Sequence, residues 1–133
     1  MKVIVAGSRD APLLIKPILF DYLDTWIDTA PTEIVSGKCH SGPDLWGEEW
    51  AESRRVLVEP FPANWNLFGG IAGPLRNKQM AKYGEFLVLA WDGQSKGSRD
   101  MFKCMWDLKK PIWEIKYRYE GSKLHVRSGS VKY

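Results

Sequence analysis

Short apolar runs alternate along this chain with segments whose apolar residues recur at helical spacing. The runs are brief and end at Gly, Pro or polar residues, which is typical of buried strands. The predicted strands are residues 3–6, 33–35, 56–58, 86–91 and 112–119. The predicted helices are residues 16–27, 43–54, 73–83 and a segment after Ser98 that ends near Lys109. Because strands alternate with helices, the pattern predicts βαβ units and a mainly parallel sheet.

Two further segments complete the predicted architecture. Residues 63–70 are predicted to be a loop, because they contain Asn64 and a Gly-Gly pair. Residues 120–123 are typical of a hairpin turn and lead to a last short strand at residues 124–126.

The predicted fold class is α/β: a Rossmann-like three-layer sandwich with a mainly parallel five-stranded sheet and a short C-terminal β-hairpin extension. We expect the Rossmann-like domain to cover residues 1–116 and a basic β extension to cover residues 117–133.

The composition is that of a globular protein, with 133 residues, 44% of them hydrophobic and 26% charged. No apolar run approaches the roughly 18 residues that a membrane-spanning helix needs. The N-terminus leads directly into the first strand and matches neither a signal peptide nor a transit peptide. We therefore expect a cytoplasmic protein with no membrane partner.

The positive charge is concentrated at the C-terminus. Residues 1–108 carry 12 Lys and Arg against 14 Asp and Glu, whereas residues 109–133 carry 7 against 2. A basic tail of this kind can contact nucleic acid or a partner protein, and it can equally be a solvated strand with solubilising lysines.

Three loops rich in Gly, Ser and a cation each follow a predicted strand, and ligands of open α/β sheets bind at these strand ends. Glycine lets the backbone approach an anion, serine and helix N–H groups donate to phosphate oxygens, and Arg or Lys adds charge. The predicted ligand-binding residues in these loops are Gly7, Ser8, Arg9, Ser36, Gly37, Lys38, Asp92, Gly93, Ser95, Lys96, Gly97 and Ser98.

Two helices supply further candidates. The Gly73-Pro74 start places Arg76 and Asn77 on the first turns of a helix, where they can face an anion. Asp44 and Glu48 are four residues apart on another helix and share one of its faces. We predict both as candidate catalytic carboxylates and Asp44 also as a ligand contact, although a solvated helix face is the simpler interpretation for Glu48.

The sequence carries no recognisable cofactor or metal motif. It has neither a GxGxxG nor a Walker A loop, and its two Cys and two His fit no zinc spacing. We predict no cofactor and no metal. Cys39 lies between Lys38 and His40 just before a helix, a position that predicts a lowered thiol pKa; neither Cys39 nor His40 is assigned a role.

Two tryptophans are candidates for stacking on a base. Trp65 lies in the predicted loop and Trp91 ends the fourth strand beside the polar loop, so Trp91 is the better candidate.

Several of these motifs together resemble the YspA-like domains of the SLOG superfamily, which groups Rossmann-like DNA-processing protein A and "lonely guy" proteins. The similarity runs in the expected order over roughly residues 2 to 115. The segments that carry it are Val5-Ala6-Gly7-Ser8-Arg9-Asp10, Ile34-Val35-Ser36-Gly37, Gly42-Pro43-Asp44, Phe61-Pro62-Ala63-Asn64-Trp65, Ala72-Gly73-Pro74, Arg76-Asn77, Trp91-Asp92-Gly93 and Gly97-Ser98. The resemblance implies a Rossmann-like fold with a nucleotide-related ligand at the strand ends.

The chain departs from the "lonely guy" phosphoribohydrolases at two catalytic positions. Asn77 stands where that family has a lysine, and Met101 stands where its loop has a glutamate. The Lys38-Cys39-His40 loop is also bulkier and more cationic than the Gly-Ala-Arg-Gly-Ala-Asp loop that the resemblance implies. These departures weigh against that glycosidase activity and leave the identity of the ligand open.

Three functions follow from these observations. The first is binding of a nucleotide or nucleotide-derived phosphate ligand, as a sensor, a sequestering protein or a weak processing enzyme. The second is N-glycosidase or phosphoribohydrolase activity on a nucleoside phosphate. The third is nucleic-acid binding through the basic tail. A homodimer is a further expectation, since related Rossmann-like proteins often dimerise through helices.

Overall fold

The computed structural model of this chain describes residues 1–132. Its strands are β1 (Lys2–Gly7), β2 (Glu33–Ser36), β3 (Leu57–Pro60), β4 (Phe86–Trp91), β5 (Ile112–Glu120) and β6 (Lys123–Ser130). Its helices are α1 (Ile15–Asp21), α2 (Pro43–Ser53), α3 (Trp65–Phe68), α4 (Ala72–Tyr83) and α5 (Lys96–Asp107). A π-helical turn at Tyr22–Trp26 extends α1, and a 3-10 turn at Gly69–Ile71 joins α3 to α4.

The strands form one six-stranded sheet in the order β3-β2-β1-β4-β5-β6. The first five strands in this order are parallel, and β6 pairs antiparallel with β5. The strand order reverses between β1 and β4, which is where open α/β sheets bind ligands. The predicted fold class is confirmed, with the second hairpin strand as the sixth strand of the sheet.

Helices cover both faces of the sheet. One core packs α1 and α2 against β1, β2, β4 and β5, and it includes Val5, Leu19, Trp46 and Val88. The opposite core packs α4 and α5 against the same sheet and is centred on Met80, Leu89, Met101 and Met105. Alternate residues of β1 and β4 point into different cores, because successive side chains of a strand face opposite sides. The result is the three-layer arrangement that the sequence predicted.

The structure differs locally from the predicted elements in two places. Residues 65–68, predicted as a loop, form the short helix α3, whose N-terminus is capped by Asn64 accepting from Leu67 N at 3.0 Å. The predicted helix at residues 16–27 changes to π geometry at Tyr22. The wider turn alters the helical face, so Trp26 is exposed although Tyr22 is buried.

The hairpin is longer than predicted. β5 runs without interruption from Ile112 to Glu120, across the predicted domain boundary at residue 116, and β6 extends to Ser130. Tyr133, the last residue of the predicted extension, lies outside the described residues. In residues 1–132, no helix is long and apolar enough to cross a membrane.

Strand register places the basic residues of the tail on one face of the hairpin. Lys116 is opposite Arg127 and Arg118 is opposite His125, and directly opposed residues of an antiparallel pair share a face. Glu120 on the same face accepts from Arg118 and contacts His125. The tail is therefore an exposed, partly neutralised basic ribbon.

Candidate functional site

The loops after β1 and β4 meet at the point where the strand order reverses. Ser8 N donates to Ala90 O at 3.1 Å, so the two strand ends are held together. A Cβ added to Gly7 would lie 1.8 Å from that same carbonyl oxygen. Only glycine allows this approach of the two backbones.

A cavity of about 660 Å³ opens where the ends of β1 and β4 meet. Its volume is within the range of small-molecule sites, which is roughly 300–1,000 Å³. The predicted residues that line it are Gly7, Ser8, Arg9, Asp44, Arg76, Asn77, Asp92, Ser95, Lys96, Gly97 and Ser98. The structure thus brings together residues from four separate segments of the chain.

The N-terminus of α5 forms one wall of the cavity. Lys96, Gly97 and Ser98 occupy the first turn, whose backbone N–H groups have no acceptor within the helix. The Ser98 hydroxyl is buried, and it has no hydrogen-bond partner among residues 1–132. A buried hydroxyl without a partner costs stability, and an anion at this helix end would satisfy it.

Asp92 fixes the loop that leads into α5. Its Oδ1 accepts from Gln94 N and Ser95 N, each at 2.8 Å, and its backbone N–H donates to Ser8 Oγ at 3.3 Å. Burial opposes ionisation of Asp92, but these backbone donors outweigh it and lower the pKa of the carboxyl. The contacts of Asp92 therefore order the loop.

Arg76 connects α4 to the β2 loop. Its guanidinium donates to Gly37 O through Nη1 and to Asn77 Oδ1 through Nε at 3.0 Å. A Cβ on Gly37 would lie 2.6 Å from Arg76 Nη1 and 3.0 Å from Asp44 Oδ2, so this glycine makes room for both charged groups. Asn77 in turn donates to Asp100 Oδ2 at 2.9 Å. These contacts fix Arg76 against the cavity wall.

Asp44 is a buried carboxyl, 5% exposed, at the first turn of α2. Burial raises its pKa to about 6, against the opposing effects of Arg76 and of hydrogen bonds from Cys39. A carboxyl of this kind is protonated far more often near neutral pH than an ordinary aspartate, which is typical of functional sites.

The prediction that Cys39 has a lowered thiol pKa is wrong. Burial raises the pKa of Cys39, the charge of Asp44 raises it further, and these effects outweigh Arg76 and Arg9. The thiol is a neighbour of Asp44 and is held in its neutral form.

Arg9 lines the cavity and has an exposed side chain. Its guanidinium forms no hydrogen bond or ion pair with any residue in the described part of the chain, Asp10 included. The backbone of Arg9 is fixed, because its carbonyl accepts from Ser41 Oγ at 3.1 Å. An unpaired cation on an ordered loop can bind an anion at a small entropic cost.

A second cavity of about 680 Å³ adjoins the first. Its lining includes the predicted residues Gly37 and Lys38, together with His40, and the two cavities share four lining residues. The shared residues are Arg9, Cys39, Trp65 and Arg76.

Three predicted site residues line neither cavity: Ser36, Glu48 and Gly93. Glu48 accepts from Ser36 Oγ at 2.6 Å and from Lys38 Nζ at 2.8 Å, so its carboxylate is engaged in fixing the β2 loop. Gly93 has a positive φ of 81° and packs against the Lys116 side chain. Glu48 therefore lines neither cavity, and its catalytic role stays a prediction.

The two tryptophans that the sequence offered for stacking differ in exposure. Trp91 is buried, donates to Glu114 Oε2 at 2.6 Å and stacks on Phe102, so it lines neither cavity. Trp65 is 50% exposed and lines both cavities. The Asn64 cap that starts α3 is the sequence signal that would have placed Trp65 on an ordered element.

Within residues 1–132, no group of three or more His, Cys, Asp or Glu side chains is arranged to hold a metal ion. No curated protein and no solved structure matches the chain. The model of the YspA, cpYpsA-related SLOG family matches residues 1–68, just over half of the chain. The match includes the Gly7-Ser8-Arg9 turn, the β2 loop, Asp44 and Trp65. The chain therefore belongs to the YspA, cpYpsA-related SLOG family.

Proposed function

We propose that this protein binds a nucleotide or nucleotide-derived ligand in the first cavity, with a phosphate at the N-terminus of α5. Family membership already indicates a nucleotide-related role in binding or processing. The observation that carries the proposal is the Ser98 hydroxyl, which is buried beside first-turn N–H groups and has no partner in the part of the chain described. Arg9 and Lys96 add positive charge to the lining of the same cavity.

The acidic residues of the cavity fit the rest of such a ligand. Asp92 and Asp100 are held by hydrogen bonds within the protein, and Asp44 lies against Arg76. Carboxylate oxygens accept well from ribose hydroxyls, so they select for the sugar while the α5 N-terminus selects for the phosphate.

The proposal is tested by comparing AMP with adenosine in thermal unfolding and calorimetry. The ligands differ only in the phosphate, so AMP should stabilise the protein and adenosine should do so far less. At 100 times its dissociation constant, a ligand adds about 2.7 kcal/mol to the free energy of unfolding. If AMP, ADP, cyclic AMP and the corresponding nucleotides of the other bases all leave the unfolding temperature unchanged, the proposal fails.

The raised pKa of Asp44 favours a second function, hydrolysis of the N-glycosidic bond of a nucleoside phosphate. In this mechanism the N-glycosidic bond breaks as a water oxygen bonds to the anomeric carbon, the protonated Asp44 carboxyl donates its proton to the departing base, and the proton that the water loses restores the acid. Because the pKa is about 6, activity should fall as the pH rises through that value. Met101 lines the cavity at the position where the "lonely guy" phosphoribohydrolases have a glutamate, so we propose Asp44 as the acid.

This second function is tested by incubating the protein with AMP and measuring the free base released by chromatography. Asp44→Asn should abolish release, whereas Glu49→Gln is the matched control, since Glu49 lies on the same helix, pairs with Lys16 and lines neither cavity. Undiminished release by Asp44→Asn would remove Asp44 from the reaction. The homodimer and the cytoplasmic location remain predictions, whichever of the two functions is correct.

A further inference from the structure

The second cavity has a lining that a single nucleotide in the first cavity would not use. It is built from the β2 loop, from Pro60 at the end of β3 with Pro62 and Ala63 after it, and from the four residues shared with the first cavity. Each cavity alone is large enough for one nucleoside-sized group. The two together exceed what a mononucleotide fills.

The charge of the second cavity is one-sided. Arg9, Lys38, His40 and Arg76 line it, and none of its lining residues is acidic. Lys38 is paired with Glu48, but Arg9 and His40 have no ion-pair partner within residues 1–132. The first cavity, by contrast, has four aspartates in its lining. A phosphate at the boundary of the two cavities therefore meets no carboxylate on the side of the second cavity.

Arg9 and Arg76 lie on the boundary, because both line both cavities. Arg76 uses Nε and Nη1 in contacts to Asn77 and Gly37, and its Nη2 donates to no residue in the described chain. Two guanidinium groups at one boundary are suited to a phosphodiester that crosses it. Trp65, also shared, offers an aromatic face on which a base can stack.

We infer that the ligand is a 5′-phosphorylated dinucleotide that occupies both cavities. Its terminal phosphate lies at the α5 N-terminus and its first nucleoside fills the first cavity. The bridging phosphate lies between Arg9 and Arg76, and the second nucleoside extends past His40. This inference rests on the proposed function, since it places the terminal phosphate at the same site.

The test compares AMP with the linear dinucleotide pApA by calorimetry on the intact protein. Wild type should bind pApA at least about tenfold more tightly than AMP, because only pApA reaches the second cavity. His40→Glu puts an acid into the cavity that lacks one, and His40 is exposed, so the fold should tolerate it. This variant should weaken the binding of pApA about tenfold and the binding of AMP less than about twofold. The control is His125→Glu on β6, which should change neither affinity, because His125 lines neither cavity.

The outcomes separate the two claims. The inference that the ligand is a dinucleotide is overturned if AMP and pApA bind with equal affinity, or if His40→Glu affects both equally. Either result leaves the proposed function intact. Binding of neither probe overturns both.

Discussion

Two regions of this molecule carry clustered positive charge, and they differ in what surrounds it. At the carboxyl ends of the parallel strands, Arg76 lies among buried polar groups that fix its position, including Asn77 and Gly37. On the β5–β6 hairpin, Arg118 and Arg127 lie on an exposed strand face opposite other long side chains. Fixed charge in a concave wall supports ligand selection, whereas exposed charge on a strand is screened by water and salt.

The difference extends to the glycines of the two regions. Gly7 touches the β4 backbone, whereas an added Cβ on Gly129 of β6 meets nothing within 4 Å. Gly7→Ala should therefore destabilise the fold by about 3 kcal/mol, because the strand ends must separate. Gly129→Ala should be neutral or slightly stabilising. Urea unfolding of both variants measures the change in the free energy of unfolding. Equal stabilities would show that the ends of β1 and β4 are not tightly packed against each other.

A second prediction concerns the pH dependence of stability. The pKa of Asp44 is about 6 in the folded protein and near its ordinary 3.8 in the unfolded chain, so the folded state holds the proton more tightly. Stability should fall as the pH rises from about 4 through 6, by roughly 2–3 kcal/mol from this group, and should level off above that. Asp44→Asn should flatten this slope in urea unfolding at several pH values. An unchanged slope would mean that Asp44 is not the buried titrating group.

A third prediction compares two arginines. Arg76→Gln removes a fixed guanidinium from the boundary of the cavities and should weaken pApA binding roughly tenfold or more, since hydrogen bonds to charged groups contribute about 1.5–3 kcal/mol. Arg127→Gln removes an exposed charge from the hairpin and should change pApA affinity by less than about twofold. Calorimetry on the two variants gives both values. A larger effect at Arg127 would move the binding site to the hairpin.

The same pair of arginines bears on the nucleic-acid alternative. If the basic hairpin face binds single strands, affinity should fall steeply with salt, and Arg127→Gln should reduce that dependence while Arg76→Gln does not. A salt-independent affinity would exclude the hairpin as an electrostatic surface.

Sequence patterns were sufficient for the architecture and for most of the cavity wall. Apolar runs and their glycine or proline ends locate the strands, and parallel strands bring their carboxyl ends to one edge, so Gly7, Ser8 and Ser98 could be placed together. The length of β6 was missed, because residues after Val126 such as Ser128 and Gly129 lack a strand signal and are held only by pairing with β5.

The remaining misses depend on contacts that no local pattern encodes. Glu48 lies close enough to Asp44 for its charge to raise the pKa of Asp44, but the hydrogen bonds that engage its carboxylate come from Ser36 and Lys38 in another segment of the chain. The pKa of Cys39 was expected to be low from its neighbours in sequence, whereas its neighbours in space are Asp44 and a buried wall. Tertiary environment outweighs local sequence at these positions.

The most direct test of the account is the affinity of AMP for Ser98→Ala, compared with Ser128→Ala on the hairpin. Ser98→Ala removes a buried hydroxyl without a partner in residues 1–132, so the free protein should keep or gain stability while AMP binds roughly fivefold to tenfold more weakly. Ser128→Ala should change neither quantity, because Ser128 is exposed on β6. An AMP affinity unaffected by Ser98→Ala would contradict the placement of the phosphate at the N-terminus of α5.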